Sequence, residues 1–237
     1  MENILTKIAG KLSKSTMHLS DFENVVSSLA VITTILQFLS GALVCKQYVV
    51  NRTTAETSSL PFVCGILCCC LWFLYGIVKH DNIIVLVNTI GVTLMISYTA
   101  VFYIYTFKKS TVLKQVVGAV AFVIFILCYA VTEDDKEVLF RTLGLMASSF
   151  TILTIAAPMS KLLYVLRVKS TECLPFPMIL MSFFVSMLWF LYGTIKNDNF
   201  LWMTNLFGAA LAVIQLSLFA IYPNKSQSPS SIKNLIA

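Results

Sequence analysis

Two asparagines, Asn88 and Asn205, stand 117 positions apart in stretches that are otherwise almost wholly apolar. An amide in such surroundings is costly unless it is hydrogen-bonded. Each offers two N–H donors and one acceptor in a plane, a set that can bridge neighbouring hydroxyls on a polyhydroxylated ring. Counted from Asp81 and Asp198, each lies seven residues further along, about 10 Å at 1.5 Å per helical residue. The other use of such an amide is as glue between helices. Trp72 and Trp189 repeat the same separation. An indole offers a flat face to C–H groups and one N–H donor to a hydroxyl. Tryptophans also collect at membrane interfaces, which suits Trp202, two residues into its apolar stretch, better than it suits Trp72. Thr34 and Gln37 are matched at the same offset by Thr151 and Thr154. Spacing of i, i+3 puts each pair on one helical face. A threonine hydroxyl can bond its own helix's carbonyls, but the Gln37 amide is not so easily satisfied.

These coincidences belong to a duplication. "LWFLYGIVKHDN" from Leu71 recurs as "LWFLYGTIKNDN" from Leu188, with nine of twelve residues identical. Asn88 and Gly91 recur as Asn205 and Gly208. "RTTAETSSLPF" from Arg52 recurs as "KSTECLPF" from Lys169, three residues shorter, and the loss is regained before Trp189.

The elements that hold these residues are set by hydropathy. The 237 residues are 58% hydrophobic and 12% charged, where a soluble domain carries about a quarter charged. Seven stretches lack Asp, Glu, Lys, Arg and His: 25–45, 60–78, 83–107, 116–132, 143–160, 174–195 and 200–222. Runs of about 20 such residues span a bilayer as helices, the form that satisfies backbone polar groups internally. The fold class is therefore an all-α membrane protein. Spans one to three match spans five to seven, and span four has no counterpart. Two directly joined three-span units would be inverted, and one span between them makes them parallel. Parallel repeats enclose a site near the midplane where they meet. The organisation is a tail at 1–23, a first repeat at 24–110, a linker helix at 111–135, a second repeat at 136–222 and a tail at 223–237. In the first tail Ile4, Leu5, Ile8 and Leu12 share a helical face beside three lysines, as in a surface-bound amphipathic helix, unless that tail is simply frayed.

The 3+1+3 arrangement, the paired "LPF…LWFLYG…K.DN…N..G" motifs and "AAPMSKLLYVLRVKSTECLPFP" (156–177) resemble the SWEET sugar transporters over about residues 24–224. The resemblance implies a sugar-binding role for Asn88 and Asn205 and a pocket walled by Trp72, Trp189, Thr34, Gln37, Thr151 and Thr154. It implies an outer gate at Tyr75, Tyr192, Asp81 and Asp198, positions that also suit an aromatic belt with solvated loop charges. Helix breakers Pro61, Pro158 and Pro175 permit kinks and mark hinges. The family's fourth proline is replaced here by Gly41, a residue that also loosens a helix. Two bulky indoles narrow the cavity and favour a monosaccharide such as glucose. The family tends to form homo-oligomers and resides in plasma membrane or Golgi.

Several function classes are excluded. No span carries a charged residue or histidine, so the intramembrane relays of coupled transporters have no members. A proton-coupled PQ-loop exporter would bring a Pro-Gln pair and an intramembrane carboxylate, which are absent. No Walker motif is present, and nothing suggests an enzyme, a cofactor, a metal centre or nucleic-acid binding. A receptor needs no duplication, and a membrane scaffold remains an additional role. The seven cysteines are odd in number and mostly inside spans, which reads as packing. The expectation is a facilitative, bidirectional sugar uniporter working by alternating access. With the C-terminus cytoplasmic, inner segments hold ten Lys/Arg against two Glu, in accord with the positive-inside rule. The N-terminus then faces out, and the sequons at Asn51 and Asn224 face in and stay unglycosylated.

Overall fold

The computed structural model describes the backbone of residues 2–156, 159–172 and 174–222, with side chains from residue 20 onward except 159–161. Pro158, Cys173, the Asn224 sequon and the side chains of Ile4, Leu5, Ile8 and Leu12 lie outside the described set. The elements are helices α1 (Glu2–Asn51), α2 (Leu60–Lys79), α3 (Asn82–Tyr105), α4 (Lys109–Thr132), α5 (Lys136–Ala156), α6 (Met159–Val168), α7 (Phe176–Ile195) and α8 (Asn199–Ile221). Among the described residues seven are long and apolar enough to cross a membrane, the one in α1 being Ser20–Asn51. The protein is an integral membrane protein. Its exposed surface carries many large hydrophobic residues, among them Leu36, Leu43, Val117 and Phe125, the pattern of a molecule whose outer solvent is lipid.

The two repeats share one internal order. α3 packs between α1 and α2, and α8 packs between α5 and α7. Between repeats, α1 meets α7 and α2 meets α5. Six helices thus form a ring, α1–α3–α2–α5–α8–α7. The linker α4 stands outside it against α2, with Ile126 sunk into the core and Val112 packed with Tyr48 and Phe102. It leans on the first repeat rather than standing midway between the two.

The duplication extends to backbone conformation. Arg52 and Lys169 both have φ 55°, and His80 and Asn197 have φ 57° and 50°. Both pairs are 117 apart and in the left-handed region that ends helices. After His80 the chain reverses, and Asp81 caps α3 by accepting from the amides of Ile83 and Ile84. Asp198 caps α8 through Leu201. These tight reversals need close approach of paired helices. A Cβ on Gly193 would lie 2.7 Å from the backbone nitrogen of Trp202, a contact that only backbone movement relieves. Gly193→Ala is expected to destabilise the second repeat by about 1–3 kcal/mol, read as a lower melting temperature of the purified protein in detergent. An unchanged melting temperature would refute the close-approach explanation.

Core distribution shows how the repeats meet. At the aspartate end a single cluster joins both, running from Ala30, Leu71 and Tyr75 to Leu143, Trp189 and Tyr192. Toward the opposite end the core divides. One cluster, with Val165, Ile179 and Leu218, belongs to the second repeat. Another, Tyr48, Phe102 and Val112, belongs to the first repeat and α4. The repeats are fused at one end and separate at the other.

Pro61 and Pro175 interrupt no helix. Pro61 is in the first turn of α2 and Pro175 is the N-cap of α7, where a missing N–H costs nothing. Bending at either would fall at a loop–helix junction, not in a kinked helix as the sequence suggested. Gly41 lies within α1, where a Cβ would come 2.6 Å from the Tyr98 ring. Its smallness there serves packing against α3.

Candidate functional site

A cavity of about 730 Å³ lies between the repeats. Its wall includes Asn88 and Asn205, Trp72 and Trp189, and Thr34, Thr151 and Thr154. Seven of the eight residues assigned to the pocket from the sequence therefore meet in one space. Among the described residues the lining carries no charged side chain. The eighth, Gln37, lies off the lining: its Nε2 donates to Ser182 Oγ at 2.8 Å, tying α1 to α7. The amide that could not be satisfied within its own helix is satisfied across the repeat boundary.

The two asparagines are equivalent in geometry. Asn88 Nδ2 donates to the Ile84 carbonyl and Asn205 Nδ2 to that of Leu201, both at 2.8 Å. Among the described residues each amide bonds its own helix and not a neighbour, which is not the pattern of interhelical glue. One N–H and the amide oxygen of each are left for the cavity.

The repeats are also braced reciprocally across the cavity wall. Trp72 Nε1 donates to Thr151 Oγ1 at 2.9 Å, and Trp189 Nε1 donates to Thr34 Oγ1 at 2.8 Å. Each hydroxyl in turn donates to the carbonyl four residues back, Ala147 and Ala30. The indole N–H groups are spent on the opposite repeat in this conformation, which leaves ring faces to the cavity. The sequence had given those N–H groups to a ligand.

One helical turn further lies a second reciprocal layer. Tyr75 Oη donates to Asp198 Oδ1 at 2.8 Å, and Tyr192 Oη reaches both oxygens of Asp81 at 3.0 Å. Both tyrosines are almost fully buried. Each aspartate thus caps its own helix and holds the other repeat's tyrosine. This layer seals the aspartate end, while the cavity runs past Phe38, Phe150 and Cys64 toward Leu60 and Pro61 at the other.

Symmetry breaks in the charges. Lys79 forms an ion pair with Asp198 across the repeats. Its equivalent Lys196 turns away from Asp81 and pairs with Glu23 at 2.5 Å. The reason lies 117 positions on from Glu23, where Phe140 stacks on Tyr75 at 5.2 Å and 27° and offers no carboxylate. Sequence reading missed Lys79, Lys196 and Glu23. The lysines stood in the duplicated "K.DN" motif, but their partners did not follow from it. It also treated Cys64 and Cys68 as filler, though they fall at i, i+4 before Trp72 on one face of α2, the cavity face.

Comparison with known proteins agrees with this construction. A family model described as sugar efflux transporter for intercellular exchange matches residues 24–110 and 141–227, once per repeat. The chain is 38% identical over 211 residues to sugar transporter SWEET1 of Drosophila pseudoobscura pseudoobscura, covering 88% of this chain and 93% of the relative. It is 30% identical to bidirectional sugar transporter SWEET2a of Sorghum bicolor, covering 84% of each. The fold is similar to a solved eukaryotic SWEET transporter with TM-score 0.76 at 23% identity, over 84% of this chain and 97% of that one. With a family match over both repeats and relatives aligned nearly end to end, the chain belongs to the SWEET family, described as sugar efflux transporters for intercellular exchange.

Proposed function

We propose that this protein carries a monosaccharide, with glucose as the first sugar to test, down its gradient in either direction by alternating access. The observation that supports this best is the pairing of Asn88 with Asn205 in one cavity whose described lining is uncharged, closed at the aspartate end by the reciprocal bonds of Tyr75 to Asp198 and Tyr192 to Asp81. Two planar amides present donors and acceptors to ring hydroxyls, and two indole faces suit the C–H surface of a pyranose. A volume of about 730 Å³ lies in the range of pockets that enclose small ligands and also admits a disaccharide. The preference for a monosaccharide rests on the indoles at Trp72 and Trp189, held in place by Thr151 and Thr34. Gating falls to Tyr75, Tyr192, Asp81 and Asp198, with Lys79, Lys196 and Glu23 completing the closed end.

Uptake of radiolabelled glucose and sucrose into proteoliposomes tests the reading. Glucose uptake is expected to exceed sucrose uptake and to stop when inner and outer concentrations are equal. Among the described residues the cavity lining has no carboxylate, histidine or lysine to relay a proton, so an imposed pH gradient should leave the end point unchanged. Accumulation above the external concentration would contradict uniport.

We place the N-terminus outside and the C-terminus in the cytoplasm, in a homo-oligomer at the plasma membrane. The charge excess of the segments at the Pro61 end supports the orientation, which makes this conformation the inward-facing one. Asn51 then faces the cytoplasm and should stay unmodified. Detection of glycan there by mass spectrometry of the protein from native membranes would reverse the topology.

A further inference from the structure

The first repeat's wall carries thiols that the second repeat lacks. Cys64, Cys68 and Cys69 line the cavity from α2. At the offset of 117 the matching positions on α7 are Met181, Val185 and Ser186. The three thiols differ in surroundings. Cys69 is buried, packed against the position of Gly91. Cys68 Sγ lies 3.2 Å from Thr151 Oγ1, beside the Trp72 brace. Cys64 has no hydrogen bond among the described residues, is only partly buried and stands one turn in from Pro61, at the unsealed end. Other thiols lie elsewhere: Cys128 is exposed on α4, the helix outside the ring, and Cys45 is buried in α1.

We infer that Cys64 is a covalent inhibitory site for water-soluble thiol-reactive electrophiles that enter the cavity from the Pro61 end. The inference rests on the cavity being the sugar path. With a methanethiosulfonate, the Cys64 thiolate attacks the sulfenyl sulfur. A new S–S bond forms, the S–SO2 bond breaks, methanesulfinate leaves with its electron pair, and the thiol proton passes to water. The attached group occupies the space between α2 and α5, where Phe150 and Leu153 face the same cavity. It takes up sugar volume and wedges apart the end that must close for release on the other side. Because one repeat alone bears the thiol, a single adduct suffices.

The test uses the full chain in proteoliposomes with 2-(trimethylammonium)ethyl methanethiosulfonate on both sides, a reagent too polar to enter lipid. Sugar uptake and adduct sites by peptide mass mapping are read together. Expected is an adduct on Cys64 and none on Cys128, with uptake lowered at least fivefold and restored by dithiothreitol. Saturating glucose should slow the Cys64 adduct, and Cys64→Ser should keep most of its own untreated rate after exposure. Should Cys64→Ser transport poorly, the wild-type correlation between Cys64 occupancy and residual uptake serves in its place. Absence of a Cys64 adduct overturns the proposal, as does full uptake with Cys64 modified or equal inhibition of Cys64→Ser. Failure of the untreated protein to carry sugar overturns the transport reading instead, and the adduct map still reports whether Cys64 faces water.

Discussion

Alanine at Asn88 or at Asn205 is expected to weaken sugar transport by about five- to thirtyfold. Each amide keeps one N–H and its oxygen for the cavity after bonding its own helix. A neutral hydrogen bond contributes about 0.5–1.5 kcal/mol net, so losing up to two amounts to about 1–2 kcal/mol, about five- to thirtyfold in affinity. The loss should appear chiefly as a higher KM for glucose in proteoliposome uptake. Stability should hardly change, since the broken protein contact is a bond to Ile84 or Leu201 within the same helix and not a tie between helices. The two readouts separate a ligand-binding amide from a structural one. A large drop in melting temperature with unaltered KM would return both residues to structural service. The double variant should transport least of all, because no other paired amides line the cavity among the described residues.

Asp198→Asn is expected to open the aspartate end far more readily than Asp81→Asn, despite the matched positions. Asparagine is as good an N-cap as aspartate, and its oxygen can still accept from the tyrosine. What the substitution removes is charge. At Asp198 that charge pairs with Lys79, and the carboxylate side chain is fully buried while the lysine is 19% exposed. Removing one partner of a buried pair costs about 3–5 kcal/mol, and the lysine's exposure lowers this to about 2 kcal/mol. A change of about 2 kcal/mol shifts a two-state population roughly thirtyfold. Among the described residues Asp81 pairs with no lysine, because Lys196 is held by Glu23. Spin labels on the outer ends of α2 and α7, read by pulsed electron resonance, should show a longer distance appearing in Asp198→Asn and scarcely in Asp81→Asn. Equal responses would mean that the two halves of the gate are electrostatically equivalent. Glu23→Gln should release Lys196 and so act on the same end through α1 and α7.

The unequal gate shows where symmetry in the sequence stops being informative. The repeat predicts Tyr75 and Tyr192, Asp81 and Asp198, Lys79 and Lys196 as three equivalent pairs, and for the tyrosines and aspartates the structure keeps the equivalence. It fails for the lysines because a side chain chooses a partner from its surroundings. Glu23 and Phe140 occupy corresponding places with opposite chemistry. Gln37 is a similar case. It shares an offset with Thr154, which lines the cavity, yet it bonds Ser182, whose counterpart is Gly65. Nothing local to Gln37 discloses that neighbour.

The sequence by itself determined the seven spans, since hydrocarbon admits no charged or unsatisfied backbone stretch of that length. It determined the doubling, which the structure then carries down to left-handed residues at matched positions and aspartates that cap the following helix, because such local features depend on a few neighbouring residues. It also placed Asn88, Asn205 and the tryptophans at matched depths. Only the tertiary structure decided the ring order of the helices, the seat of α4 against α2, the ties of Trp72 to Thr151 and Trp189 to Thr34, and which end of the cavity is sealed. Those contacts join residues far apart in the chain and depend on helix rotation and on how two units lean together, which packing across the whole molecule sets and no local pattern encodes.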